Sequence, residues 1–247
     1  NSKEGLVSNY DLGYRVFEVD FCLTSDERLA CVHDWWSFGN FNGEAMSYEE
    51  WIQSPASAMP MTASRFTTMV VEDVLDAMIV NPDMYLVTDT KAHEVSEEEA
   101  RLAIELIYEA AMERDPALLE RIIPQIYNIG MYEMVESIYH FPNMIFTIYG
   151  TDETIHSITE FINSTDNIQV LTAPVESIGV RVTNSIINSL HEHGKLVYVH
   201  PINTYPEVTK YAALGIDGFY TRLFLPYEMD VYESITECYI PEEVPVE

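Results

Sequence analysis

The chain has 247 residues, a normal length for one α/β barrel, and no linker composition divides it into two small domains. Twelve Lys and Arg face 41 Asp and Glu, a formal charge of −29, which makes a poor nucleic-acid binder because phosphate backbones need Lys and Arg to neutralise them. Apolar residues make up 47% of the chain, enough for a sizeable core, and no run of about 18 of them is present to form a transmembrane helix.

In chain order, residues 2–12 read as a helix with Gly13 as its stop. Residues 16–21 form a strand, and the turn Ser25-Asp26-Glu27-Arg28 leads into a return strand over 29–33. A helix over 70–80 ends before Pro82, and a strand follows over 85–90. The long helix 96–114 opens on Ser96 and three consecutive Glu, which suit the unsatisfied N–H groups of a helix start. Strands at 122–127, 144–149, 168–172, 196–200 and 218–221 then alternate with helices at 131–140, 153–163, 182–192 and 206–214. From about residue 226 the chain is an acidic arm or linker. Of Cys22, Cys31 and Cys238, the first two lie in apolar strand patterns and read as buried free thiols; the spacing is neither that of a zinc site nor that of a disulfide framework.

Alternating apolar strands and amphipathic helices predict a parallel sheet covered by helices. Setting the return strand aside, seven strands are of the parallel type, beginning near residues 16, 85, 122, 144, 168, 196 and 218. A closed barrel needs eight, and the deficit falls at the N-terminus, where a helix comes before any strand. An open doubly wound sheet has no such deficit, but its Gly-x-Gly-x-x-Gly fingerprint is absent.

Chemistry concentrates in Glu18-Val19-Asp20 and His33-Asp34. Residues 18 and 20 of a strand share a face, and two carboxylates on one inward face are costly unless a cation neutralises them. With Asp26 and Glu27 as the central turn residues, Thr24 pairs with Leu29 and the register sets Asp20 opposite His33. Asp89 and Lys91 again share a face, at the C-terminal end of the next strand, where barrels gather functional residues. Glu18, Asp20 and Asp89 are hard oxygen ligands suited to Ca²⁺ or Mg²⁺, Lys91 suits a phosphate, and His33 is the natural proton-transfer group. One Glu-x-Asp alone is commonly a solvated face and one His commonly structural. Five such residues converging among apolar strands favour a site.

This pattern resembles the glycerophosphodiester phosphodiesterase family. Asn1-Ser2 opening a helix, Gly13, Glu18-Val19-Asp20, Thr24-Ser25-Asp26 and His33-Asp34 follow that family's order and spacing. Asp89-Thr90-Lys91 stands where the family has Glu-x-Lys. The segments 197–203 and 215–221 resemble its last two strands, Trp-Thr-Val-Asn and Gly-Val-Asp-Gly-Ile-x-Thr-Asp. The likeness covers about residues 1–224. It implies a (β/α)₈ TIM barrel over residues 1–225 whose first strand, bearing the family's first catalytic His, lies upstream of Asn1, with 226–247 as the arm. It also implies one divalent cation on Glu18, Asp20 and Asp89, and cleavage of glycerophosphodiesters to glycerol 3-phosphate and an alcohol. His33 serves in acid–base catalysis, Lys91 stabilises phosphate charge, and Trp35, Tyr149 and Asn203 line the substrate cleft. Three departures stand out: Asp89 for the usual Glu, Glu27 for the usual turn Gly, and Thr221-Arg222 for Thr-Asp.

Other readings are a non-catalytic metal-binding barrel, and a phospholipase C-like phosphodiesterase with another substrate. An amidohydrolase needs a His-x-His strand, but His191 and His193 sit at a helix end and read as C-terminal caps. The expected partner is a small-molecule phosphodiester. An acidic surface with a calcium-type site suits an exported or cell-surface protein, and free thiols suit the cytosol equally.

Overall fold

A computed structural model describes residues 1–38, 42–54 and 66–222; Cys238 and the arm from 226 lie outside the described residues. The strands are β1 (Val16–Leu23), β2 (Leu29–Cys31), β3 (Tyr85–Asp89), β4 (Ile122–Ile126), β5 (Met144–Thr147), β6 (Ile168–Pro174), β7 (Leu196–His200) and β8 (Gly218–Phe219). They form one mixed eight-stranded sheet in the order β2-β1-β3-β4-β5-β6-β7-β8. β2 runs antiparallel to β1, and the other pairings are parallel. Helix α1 (Lys3–Asp11) precedes β1, and α2 (Tyr48–Gln53) and α3 (Val71–Val80) follow β2. The crossovers between successive parallel strands carry α4 (Glu97–Arg114), α5 (Ile129–Ile138), α6 (Ile155–Ser164), α7 (Asn184–Glu192) and α8 (Tyr205–Ala212).

The two faces of the sheet divide by residue parity. Val19, Phe21, Leu86, Val197 and Val199 point to the helices and join the main core. That core takes Ala100, Ala103, Ile104, Ile107 and Ala111 from α4, the three-and-four spacing of one helical face. The start of α4 is fixed by a reciprocal cap: Ser96 Oγ accepts from the Glu99 N–H at 3.2 Å, and Glu99 Oε2 accepts from the Ser96 N–H at 2.9 Å. On the other face Val87, Ile145 and Val170 form a small apolar cluster with Ile123 and Tyr198. Inner residues of β1 and the end of β8 line one cavity above it, so the sheet curls back on itself.

The hairpin differs from its predicted register by one residue. Leu23 pairs with Leu29 and Phe21 with Cys31, which sets Val32, not His33, in line with Asp20. The turn is longer than two residues: the Glu27 N–H donates to the Thr24 carbonyl at 3.1 Å, and the Thr24 N–H to the Arg28 carbonyl at 2.8 Å. Glu27 completes it with φ 58°, the left-handed conformation that a type I turn plus bulge needs and that Gly adopts most easily. Strand β2 ends at Cys31, so His33 reaches the cavity from the loop beyond it.

Helix α2 has no counterpart among the predicted elements. It is capped by Ser47 and Glu50, and its buried Trp51 donates Nε1–H to the Met69 carbonyl at 2.8 Å. Both Cys22 and Cys31 are free thiols; Cys31 is buried and Cys22 half-buried. His191 and His193 sit at the end of α7, bonded to Asp217 at 2.9 Å and to the Ser189 carbonyl at 2.8 Å. No helix among the described residues is long and apolar enough to cross a membrane.

Candidate active site

β1 puts Glu18 and Asp20 on its inner face, and the parallel register of β3 sets Asp89 beside Asp20. The three carboxylates each offer an oxygen within 4.8 Å of the others. Glu18 is exposed to the cavity it lines, with protein packed around it on the other sides. Burial, then the charges of Asp20 and Asp89, raise its carboxyl to about 8. Three carboxylates this close repel one another, and positive charge among them relieves that repulsion.

Part of that charge comes from Lys91. Its ammonium bridges Asp20 and Asp89, at 2.7 Å from Asp89 Oδ2. Burial opposes the charged ammonium, but the two carboxylates and their hydrogen bonds outweigh it and raise the Lys91 pKa. Lys91 reaches them by turning the backbone left-handed, φ 55°, directly after the strand. There its own N–H donates to Asp89 Oδ1 at 2.9 Å. Tyr127 donates its hydroxyl to the same oxygen at 2.5 Å, and burial with the charge of Asp89 raises the phenol pKa. Gln125 Nε2 donates to the hydroxyls of Tyr127 and Tyr149, at 3.1 and 3.2 Å. Asp20 is held from the other side by Asn1, whose Nδ2 donates to Oδ2 at 2.7 Å. Asp20 and Asp89 are therefore both oriented by surrounding donors.

Glu18, Asp20, Asp89 and Lys91 share one cavity of about 620 Å³ with His33 and Tyr149. His33 is exposed, and its Nδ1 lies 2.7 Å from Asp34 Oδ2. That bond engages Nδ1 and leaves Nε2 on the side of the ring away from Asp34. Burial, then the charge of Asp89, raises the Tyr149 pKa to about 12. Trp35 and Asn203 are not among the residues lining the cavity. Trp35 packs edge-on against Trp51 at 5.6 Å and bonds the Leu23 carbonyl. Asn203 accepts from the Arg222 N–H at 3.0 Å and fixes the chain after β8.

Several residues at this site were not singled out from sequence: Asn1, Tyr127, Gln125, His200 and Tyr220. The signal for three of them was present. Tyr127, His200 and Tyr220 stand at or just beyond the C-terminal ends of β4, β7 and β8, the position that drew attention to Tyr149. Nothing local marks Asn1 as a partner of Asp20, because that contact spans 19 residues.

Three carboxylates without a Cys or His ligand are a donor set for a hard divalent cation, and the group can hold one. No protein-family model and no curated protein matches the chain. Solved structures do match in fold. A glycerophosphodiester phosphodiesterase from Parabacteroides distasonis superposes with a TM-score of 0.69 at 16% identity, over 94% of this chain and 89% of that one. Another from Thermotoga maritima gives 0.65 at 15% identity, over 95% and 91%. An Oleispira antarctica phosphodiesterase, in complex with the product sn-glycerol-3-phosphate, gives 0.67 at 13% identity, over 92% and 87%. The chain shares the TIM-barrel-like fold of these proteins.

Proposed function

We propose that this protein belongs to the glycerophosphodiester phosphodiesterase family and hydrolyses glycerophosphodiesters to glycerol 3-phosphate and an alcohol. The observation that carries the reading is the meeting of Glu18, Asp20 and Asp89, each with an oxygen within 4.8 Å of the others, in the cavity that also holds Lys91 and His33. A Ca²⁺ or Mg²⁺ ion bound there supplies Lewis acidity toward a phosphoryl oxygen.

The chain's own residues divide the remaining work. Glu18, Asp20 and Asp89 hold the ion, with Asn1 and Tyr127 fixing the second and third of them. Lys91 places an ammonium against the same carboxylates, where it meets a phosphate oxygen. His33, oriented by Asp34, moves a proton at Nε2 between the reacting oxygen and solvent. Tyr149 forms part of the wall against which the substrate rests. The family's barrel has one more parallel strand, and the reading sets it between β8 and β1, with a second His facing the same cavity. The exposed Val16 and half-buried Phe17 and Phe219 of the two bordering strands support that placement.

The reading is tested with His33→Ala. The expected result is a fall in kcat on a glycerophosphodiester of roughly 10²–10⁴, with divalent-cation affinity unchanged. A variant that keeps the wild-type rate would sink the assignment of His33. A wild-type protein inert toward every glycerophosphodiester tried, with Ca²⁺ or Mg²⁺ bound, would sink the activity itself.

A further inference from the structure

A second stretch of the cavity wall carries polar atoms that the fold does not satisfy. β7 ends on His200 and β8 is followed by Tyr220, and both line the cavity that contains Glu18 and Asp89. Their backbones are fixed: the Ile202 N–H donates to the Tyr220 carbonyl at 2.8 Å, and the Tyr220 N–H to the Val199 carbonyl at 2.9 Å. Their rings are fixed as well. The His200 ring lies 5.8 Å from that of Tyr220 and 5.4 Å from that of Tyr149, so aromatic packing orients the imidazole. Yet His200 Nε2 and the Tyr220 hydroxyl are buried without a hydrogen-bond partner among the described residues. Folded proteins leave few such atoms unpaired, and these two stand in the wall of one cavity, where a ligand can supply the missing partners.

The chemistry of the pair limits what that ligand is. Burial lowers the His200 pKa, so the imidazole is neutral and has both a donor and an acceptor nitrogen. A phenol hydroxyl also donates and accepts. Two neutral groups of this kind match alcohol O–H groups, and the neighbouring ring of Tyr149 suits the C–H faces between them. Of the charged groups lining the cavity, Glu18, Asp20, Asp89 and Lys91 stand on β1 and beside the end of β3 and take the ionic part of the ligand, while Arg222 lies two residues beyond Tyr220.

We infer that His200 and Tyr220 form a hydroxyl-recognising subsite that binds the polyol arm of a phosphate ester held at the carboxylates. The inference rests on the phosphodiesterase reading and deepens it, making these two residues determinants of substrate choice. Hydroxyls reach the site from glycerol or from a polyol head group, and the experiment separates the two sources.

With Ca²⁺ present, the dissociation constants of sn-glycerol 3-phosphate, myo-inositol 1-phosphate and methyl phosphate are measured calorimetrically on the full chain. His200→Phe and Tyr220→Phe keep the rings and remove only the polar atoms. The expected result is that at least one polyol phosphate binds wild type more tightly than methyl phosphate. Each variant then loses roughly three- to tenfold for that ligand, with methyl phosphate unchanged. The polyol that shows the advantage names the source. Polyol affinity unchanged in both variants would overturn the subsite, as would an equal loss for methyl phosphate or a wild type without preference. Wild type binding none of the three would overturn the subsite and the phosphodiesterase reading together.

Discussion

Replacing Tyr127 by Phe removes one hydroxyl from a fully buried ring and tests how Asp89 is held. In the structure that hydroxyl donates to Asp89 Oδ1 at 2.5 Å and accepts from Gln125 Nε2 at 3.1 Å. Gln125 keeps a second acceptor in Tyr149 at 3.2 Å, and Asp89 Oδ1 keeps the Lys91 N–H at 2.9 Å, so the substitution strands no other polar atom. The largest loss is the hydrogen bond to the charged Asp89, which contributes about 1.5–3 kcal/mol, while the Gln125 bond is partly replaced by the one to Tyr149. Taking about 2 kcal/mol, the melting temperature of a chain this size falls by roughly 4–8 °C. A carboxylate freed to rotate is also a poorer ligand, and divalent affinity falls by roughly tenfold. Urea denaturation in chelator measures the first effect, and calorimetric titration with Ca²⁺ the second. Lower stability with wild-type metal affinity would refute the role of Tyr127 in placing Asp89. An unchanged denaturation midpoint would refute the hydrogen bond.

Two further outcomes follow from local geometry. The Glu18 carboxyl is raised to about 8 from an ordinary 4.5, so over that window the folded chain keeps a proton that the unfolded chain has lost. The metal-free protein is therefore most stable below pH 4.5 with respect to this group and loses that stability as pH rises through 8; Glu18→Gln flattens this part of the profile in chelator, and equal slopes in both proteins would contradict the assignment. At the hairpin, Glu27→Gly relieves a left-handed φ of 58° and stabilises the fold by about 0.5–1 kcal/mol, after the entropy of the freer unfolded chain is subtracted. The shift is read as a higher urea midpoint, and a lower midpoint would mean that the turn does not depend on that conformation.

The sequence disclosed the strand–helix alternation because short apolar runs, with outward residues such as Val197 and Val199 at every second position, recur between amphipathic stretches. It disclosed the convergence of Glu18, Asp20 and Asp89 because i, i+2 spacing on parallel strands sets a face without reference to distant contacts, whereas Lys91 joins them through a left-handed turn beyond β3 that strand alternation does not foresee. It missed what depends on turn geometry. One left-handed residue, Glu27, lengthened the hairpin and shifted its register, because a two-residue turn and a bulged one look alike when the usual Gly is absent. The resemblance implies Trp35 as a cleft residue, but its ring turns to Trp51, on a short helix that no long apolar period announces. The layer of donors behind the carboxylates was hidden for another reason. The bonds from Asn1 to Asp20 and from Tyr127 to Asp89 join residues 19 and 38 positions apart, and only the folded chain brings them together.

The most direct measurement is the release of sn-glycerol 3-phosphate from a glycerophosphodiester in Ca²⁺, in Mg²⁺ and in chelator, for wild type and Asp89→Asn. The account predicts release with at least one of the two ions, abolished by chelator and by the substitution. Release that persists undiminished in chelator, or its absence while calorimetry shows an ion bound, would contradict it.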